Sequence, residues 1–189
     1  MKRLFAAAAT LVLTSGAALA ADASVIGDWL VKDGYAHIRI DNCAGRMWGI
    51  VAWEQKAGLD VENPDPAKKS RPTLGMPIIM GFAPAKEPGK WSGEIYNSNN
   101  GKMYAASISL ADENTLDVEG CLVWPLCQTQ KWTRVKTPPP NAAPLPPIPG
   151  AQKQSPPAKK GAVAAAAPSE VCARVVSEGA PASPGTVKK

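Results

Sequence analysis

Apolar and polar residues alternate along residues 35–41, and this is the clearest local pattern in the chain. Ile38 and Ile40 fall on one side of the segment, whereas His37 and Arg39 fall on the other. Side chains of a β-strand point alternately to opposite faces, so this pattern is typical of a strand with one buried face and one solvated face. We therefore expect His37 on the polar, solvent-facing side.

Similar short segments recur along the chain, and turn residues separate them. Asp33-Gly34 is a two-residue hairpin turn sequence, and the run from Asn97 to Gly101 is rich in turn formers. Pro77 suits the start of a strand or an edge. The predicted strands are residues 25–32, 35–41, 46–54, 76–82, 90–96, 102–110, 115–122 and 127–135.

About eight short strands without a convincing helix indicate an all-β fold. Most connections are short, and a long loop at residues 55–75 is the exception. Short connections favour an antiparallel up-and-down barrel, because closure of the sheet removes its exposed edges. A β-sandwich is the alternative.

Two pairs of residues lie at the ends of this strand series. Gly27 and Trp29 belong to the first predicted strand, and Trp132 and Arg134 belong to the last. First and last strands become neighbours when a barrel closes, so a cation can stack on a large aromatic ring there. We expect these four residues to close one end of the barrel, which makes them poor candidates for an active site.

The chain carries different compositions on either side of the strand series. Residues 1–20 have a basic start, a short apolar stretch and an Ala-Leu-Ala triplet, which predicts a signal peptide and a periplasmic or secreted bacterial protein. No later segment is apolar for long enough to cross a membrane. Residues 136–189 lack aromatic residues and hold 12 of the 19 prolines, so we predict one domain at 21–135 followed by a disordered tail.

The formal net charge of +5 is unevenly distributed. The predicted domain has 12 basic and 14 acidic residues and a net charge of −2, whereas the tail carries +5. A slightly acidic domain has no electrostatic footprint for nucleic acid. For the tail, two roles remain open: contact with an anionic cell-envelope surface, or a solubilising spacer, which we favour.

Residues 60–72 contain the densest set of functional groups, with Asp60, Asn63, Asp65 and Arg71. The structural interpretation is that Asn and Asp form turns before the prolines while Arg71 binds a carboxylate. The alternative is contact with a ligand or partner. The spacing lacks the turn glycine and distal glutamate of a 12-residue calcium loop, so we predict no metal and no cofactor.

The density of aromatic residues suggests a second candidate site. Eight-stranded barrels have room for one small ligand, although aromatic side chains more often fill the interior. The candidates for lining a cavity for a small, partly apolar ligand are Trp48, Trp53, Trp91, Tyr96 and Tyr104.

Catalysis has little support in the sequence. His37 is the single histidine, and no nucleophile motif, phosphate-binding loop or metal-ligand spacing accompanies it. We therefore predict no catalytic residues.

A series of motifs resembles one known family. The motifs are Gly27-x-Trp29, Asn63-Pro64-Asp65-Pro66 with Ser70-Arg71-Pro72-x-x-Gly75, Trp91-x-Gly93-x-Ile95-Tyr96, Gly101-Lys102-x-Tyr104, and Gly120-Cys121 leading to Gln130-x-Trp132-Thr133-Arg134. They resemble the bacterial exported family catalogued as domain of unknown function 2147, over residues 25–135. The resemblance implies a lipocalin-like barrel and no established activity.

Four cysteines in an exported chain suggest disulfides. Cys121 and Cys127 flank a predicted hairpin turn, so we expect them to form one. In many members of the family that the chain resembles, a second cysteine follows the one at the position of Cys43, but here Trp48 stands in its place. Cys43 is thus either free or bonded to Cys172.

Overall fold

A computed structural model describes residues 24–123, 125–137, 139–148 and 169–179. The predicted signal peptide and residues 149–168 and 180–189 of the predicted tail lie outside the described residues.

Eight antiparallel strands form a closed barrel in which each strand pairs with its sequence neighbours and β1 also pairs with β8. The barrel prediction is confirmed, and every strand boundary lies within two residues of the predicted one. The strands are β1 (Gly27–Leu30), β2 (Ala36–Cys43), β3 (Arg46–Glu54), β4 (Pro77–Pro84), β5 (Lys90–Asn97), β6 (Lys102–Asp112), β7 (Thr115–Val123) and β8 (Leu126–Val135).

Closure of the barrel places the first and last strands side by side. Trp29 on β1 lies opposite Ile38 on β2 and opposite Arg134 on β8. Pro77 is the first residue of β4. Its missing N–H therefore falls at the end of the hydrogen-bond ladder, where the loss is tolerated.

The apolar core lies inside the barrel around Trp29. Ile38, Ile79, Ile108 and Leu116 have at most 1% of their surface exposed, and Trp29 has none. Burial of one such side chain stabilises the fold by about 1.5–3 kcal/mol. Burial of the apolar side chains at alternating strand positions therefore stabilises the closed sheet.

The helix α1 (Glu170–Ser177) packs on the outer wall of the barrel, against β2, β3 and β4. Val171 and Val175 lie one helical turn apart and contact Trp48 and Ile50, which point outward from β3. This segment differs from the predicted disordered tail, because the two valines bury an apolar face that the barrel wall supplies. No helix among the described residues has the length and apolar character needed to span a bilayer.

Both disulfides considered from the sequence are present. Cys121–Cys127 joins β7 to β8 across their connecting turn. Cys43–Cys172 joins the end of β2 to α1, across 129 residues of chain. The second bond resolves the alternatives for Cys43 and fixes α1 to the barrel.

Candidate functional site

One end of the barrel is closed by contacts of Arg134. Its guanidinium lies 4.1 Å from the centroid of the Trp29 ring. The same group donates hydrogen bonds to the carbonyl oxygens of Ser24, Ile26 and Glu113 at 2.6, 3.0 and 2.6 Å. A planar guanidinium can stack and form several hydrogen bonds at once, which a lysine cannot do. Arg134 thus ties the segment before β1 to the turn between β6 and β7.

Gly27 and Trp132 complete this closed end. A Cβ atom added to Gly27 would come within 2.8 Å of the Arg134 guanidinium, and the backbone φ of Gly27 is +134°. Glycine meets both demands because it has no side chain. Trp132 is 3% exposed and belongs to the core cluster that contains Trp29.

The opposite end of the barrel, which we call the open end, carries the long loop between β3 and β4 and the β7–β8 turn. Val118 belongs to the buried core and lies opposite Gln130, so Gln130 also points inward. Gln128 lies opposite Gly120, two residues further along the same inward face. Both glutamines are nevertheless exposed. Solvent therefore reaches the inner face of β8.

Gly120 borders empty space inside this half of the barrel. A Cβ atom added to Gly120 would meet no atom of the described residues within 4 Å. On the neighbouring strand β6, Gly120 lies opposite the small residue Ala106, which in turn lies opposite Gly93 on β5. The inner wall therefore combines a surface of small residues with the exposed amides of Gln128 and Gln130. Apolar groups and hydrogen-bonding groups of a ligand can both be accommodated by such a surface.

The five aromatic candidates lie in three different places. Trp91 and Tyr104 point inward, since their cross-strand partners Ile108 and Ile95 belong to or pack against the core. Tyr104 is half-buried, and its hydroxyl accepts a hydrogen bond from Asn100 at 2.8 Å. It is therefore placed to line the open half of the barrel.

The other three aromatic candidates lie outside the interior. Trp48 is covered by α1, and Trp53 packs against His37 with ring centroids 4.6 Å apart and ring planes tilted by 45°. Tyr96 meets the long loop. His37 was expected on a solvent-facing side, but it is only 7% exposed. Residues that follow β8, among them Pro139 and Leu145, cover this part of the outer wall. The alternation within β2 could not predict this cover.

The long loop is organised around the carboxylate of Asp60, which is completely buried. Its oxygens accept hydrogen bonds from the Tyr96 hydroxyl at 2.7 Å, the Asn63 amide at 2.6 Å and Arg71 Nε at 2.9 Å. A buried charge is tolerated when it is paired and hydrogen-bonded in this way. Arg71 also binds Glu178, just beyond α1, at 2.8 Å. These internal partners support the structural interpretation of Asp60, Asn63 and Arg71.

Two further features define the electrostatics of the loop. Burial, followed by the hydrogen bond to Asp60, raises the pKa of Tyr96 to about 12. The hydroxyl therefore remains a donor at neutral pH. The Asp65 backbone N–H donates a hydrogen bond to Asn63 Oδ1 at 2.9 Å, while the Asp65 side chain caps the short 3-10 helix Pro66–Lys68 by accepting a hydrogen bond from the Ala67 backbone at 3.0 Å. Asp60 and Asp65 thus have separate local roles.

Within the described parts of the chain, the one grouping of metal-ligating side chains consists of Glu119, Cys121 and Cys127. The two cysteines form a disulfide, so neither sulfur is a thiolate that could bind a metal. The same disulfide supports a hairpin tip whose large apolar side chains are exposed, namely Leu122, Val123 and Leu126. This tip borders the open end of the barrel.

Comparisons with known proteins agree with this architecture. Residues 27–134 match the family described as uncharacterized protein conserved in bacteria, DUF2147. A solved structure of protein HP1028 from the human pathogen Helicobacter pylori, described as belonging to the lipocalin family, is similar with a TM-score of 0.54 and 17% identity. The similarity covers 59% of this chain and 83% of that one, and at this identity it shows the fold alone. No curated protein matches the chain.

Proposed function

The chain belongs to the DUF2147 family of uncharacterized bacterial proteins, and from this premise we propose that its barrel binds a small, partly apolar ligand through the open end. The observation that carries the proposal is the empty space in front of Gly120, on an inner wall that solvent reaches along β8. Barrels of about eight strands can enclose one small ligand. The exposed inward amides of Gln128 and Gln130 would bind its polar groups.

The proposal includes export from the cytoplasm. Two disulfides are typical of proteins that fold in an oxidising compartment such as the bacterial periplasm. The predicted signal peptide at residues 1–20 agrees with this location. Contact of the basic tail with the cell envelope stays a prediction, because most of those residues lie outside the described part of the chain.

The test fills the empty space and measures binding. Gly120→Leu places a large apolar side chain inside the barrel where an added Cβ meets no neighbour. Ala105→Leu is the matched control, because Ala105 is exposed on the opposite face of β6, across from Cys121. The probe is the amphipathic dye 1-anilinonaphthalene-8-sulfonate, whose fluorescence reports binding to each folded variant.

We expect saturable 1:1 binding of the dye to the wild type and to Ala105→Leu, and binding weakened by about tenfold or more in Gly120→Leu. Equal binding by Gly120→Leu and the control would contradict the proposal, since the dye would then occupy another surface such as the exposed hairpin tip. Native mass spectrometry of protein purified from its own host provides an independent measurement, in which a retained ligand adds mass to the wild type and not to Gly120→Leu.

A further inference from the structure

A cavity of about 210 Å³ lies outside the barrel interior, between the outer wall and the chain that follows β8. The wall contributes His37, Arg39 and Trp53, and the covering segment contributes Pro139 and Leu145 among its apolar residues. The family match ends at residue 134, so the cover is formed by chain beyond the matched domain. The cavity is smaller than the roughly 300–1,000 Å³ of clefts for drug-sized molecules, and its ligand must be correspondingly small.

His37 lines this cavity, and among the described residues its imidazole has no hydrogen-bond partner. It is 7% exposed, and neither ring nitrogen has a hydrogen bond within the described residues. Arg174 Nε is the one fully enclosed side-chain nitrogen or oxygen without a partner in those residues, so the ring nitrogens of His37 remain accessible from the cavity. A ligand that bonds to the imidazole would take the place of water at these nitrogens.

The groups around His37 favour a ligand that donates hydrogen bonds. Arg39 is held by Asp28 through two contacts, Nε to Oδ1 at 2.7 Å and Nη2 to Oδ2 at 2.9 Å. Glu170 adds a second carboxylate to the lining, and its Oε2 lies 3.7 Å from Arg39 Nη1. Arg174, which does not line the cavity, contacts the other oxygen of Glu170 at 3.2 Å. Each carboxylate is thus paired with a guanidinium, but each keeps oxygen lone pairs that can accept a hydrogen bond from a further donor.

The ring of His37 is suited to accept a hydrogen bond. Burial lowers its pKa below the ordinary value of 6.5, and the nearby Asp28 only partly opposes this effect. An uncharged imidazole has one nitrogen that accepts and one that donates. Trp53 lies beside this ring and also lines the cavity, and indole rings attract cations.

The cover over the cavity is fixed to the barrel at several points. Arg174 donates a hydrogen bond to the carbonyl oxygen of Pro146, and the Cys43–Cys172 disulfide anchors the helix that carries Arg174. Val171 and Val175 bury the inner face of the same helix. The barrel wall therefore forms one side of the cavity, and chain that is fixed to this wall forms the other.

We propose that this cavity binds a small organic cation, an ammonium group on a short apolar body. The ammonium donates hydrogen bonds to the His37 imidazole and to the carboxylates of Asp28 or Glu170, and the apolar body packs on Trp53 and the covering segment. An anion would face two carboxylates and a guanidinium that is already paired. The site is separate from the proposed ligand site inside the barrel, and neither proposal rests on the other.

The test uses n-butylammonium as the probe, with n-butanol and butyrate as uncharged and anionic molecules of similar size. Because the chain has one histidine, the imidazole resonance of His37 can be followed without ambiguity by NMR. We expect a saturable shift with n-butylammonium, with a Kd on the order of 1 mM for so small a molecule. Binding of n-butanol and butyrate should be about tenfold weaker or absent. Equal binding of butyrate, or no saturable shift with n-butylammonium, overturns the proposal.

Variants locate the binding. Ala142→Leu fills the cavity from the covering segment, and Ala111→Leu adds the same side chain at an exposed position that does not line the cavity. We expect Ala142→Leu to lose the n-butylammonium response and Ala111→Leu to retain it. Gly120→Leu should also retain it, since Gly120 faces the barrel interior. A response that persists in Ala142→Leu, or disappears in folded Gly120→Leu, would assign the binding elsewhere.

Discussion

Removal of the Cys43–Cys172 disulfide should cost far more stability than removal of Cys121–Cys127. The first bond spans 129 residues and the second spans 6. In the chain-entropy account, a cross-link restricts the unfolded chain by an amount that grows with the logarithm of the loop length. Applied to these separations, that account gives about 5 kcal/mol for the long loop and about 2 kcal/mol for the short one.

The experiment compares Cys43→Ser/Cys172→Ser with Cys121→Ser/Cys127→Ser by urea unfolding, with tryptophan fluorescence as the signal. The wild type is the common reference. We expect the free energies of unfolding of the two variants to differ by about 3 kcal/mol, with the first variant less stable. Equal losses, or a larger loss in the second variant, would refute the reasoning from loop length. Those results would instead indicate structure that persists in the unfolded chain or local contacts that dominate.

Three further substitutions test particular contacts. Gly93→Ala should destabilise the barrel by about 1–3 kcal/mol in thermal unfolding, because an added Cβ would lie 2.9 Å from the Phe82 Cα and closer still to the Phe82 ring. An unchanged Tm would contradict this close packing. Arg134→Lys should lower the free energy of unfolding in urea by roughly 2 kcal/mol, since a lysine cannot stack on Trp29 and bond three carbonyl oxygens at the same time. Full stability of the variant would show that these contacts are dispensable. The free energy of unfolding should fall as pH rises from 10 towards 12, because Tyr96 loses its proton near pH 10 when unfolded, whereas burial and Asp60 raise its pKa to about 12 in the folded protein. Tyr96→Phe should reduce this pH dependence, and an identical pH profile of the variant would contradict the role of Tyr96.

The strand order and the closed end could be predicted because their determinants are local or lie at the ends of the series. The alternation at residues 35–41, the turn residues Asp33-Gly34 and the position of Pro77 each specify short-range structure, although the connection from β1 to β2 spans residues 31–35 rather than the two residues predicted. Trp29 and Arg134 belong to the first and last strands, and a closed sheet brings those strands together. Barrel topology then follows from the number of strands and the short connections.

The outer wall could not be predicted in the same way. The burial of His37 depends on chain more than 100 residues later in the sequence, and the alternation in β2 is the same with or without that cover. Val171 and Val175 give too weak an apolar pattern to identify α1 within an alanine-rich segment. The empty space at Gly120 depends on the side chains of several strands together. A glycine within a strand is compatible with either a close contact, as at Gly93, or an open cavity.

The order of the cysteines along the chain has a consequence for how the protein matures. On export into an oxidising compartment from the N-terminus, Cys43 would arrive before Cys121 and Cys127, and Cys172 would arrive last. During this interval Cys43 can pair with either of these sulfurs and trap a non-native chain. Rapid closure of the short Cys121–Cys127 hairpin removes both competitors before Cys172 arrives. A single Cys127→Ser substitution leaves Cys121 as a free competitor for Cys43, so we expect it to increase misbridged forms during oxidative refolding.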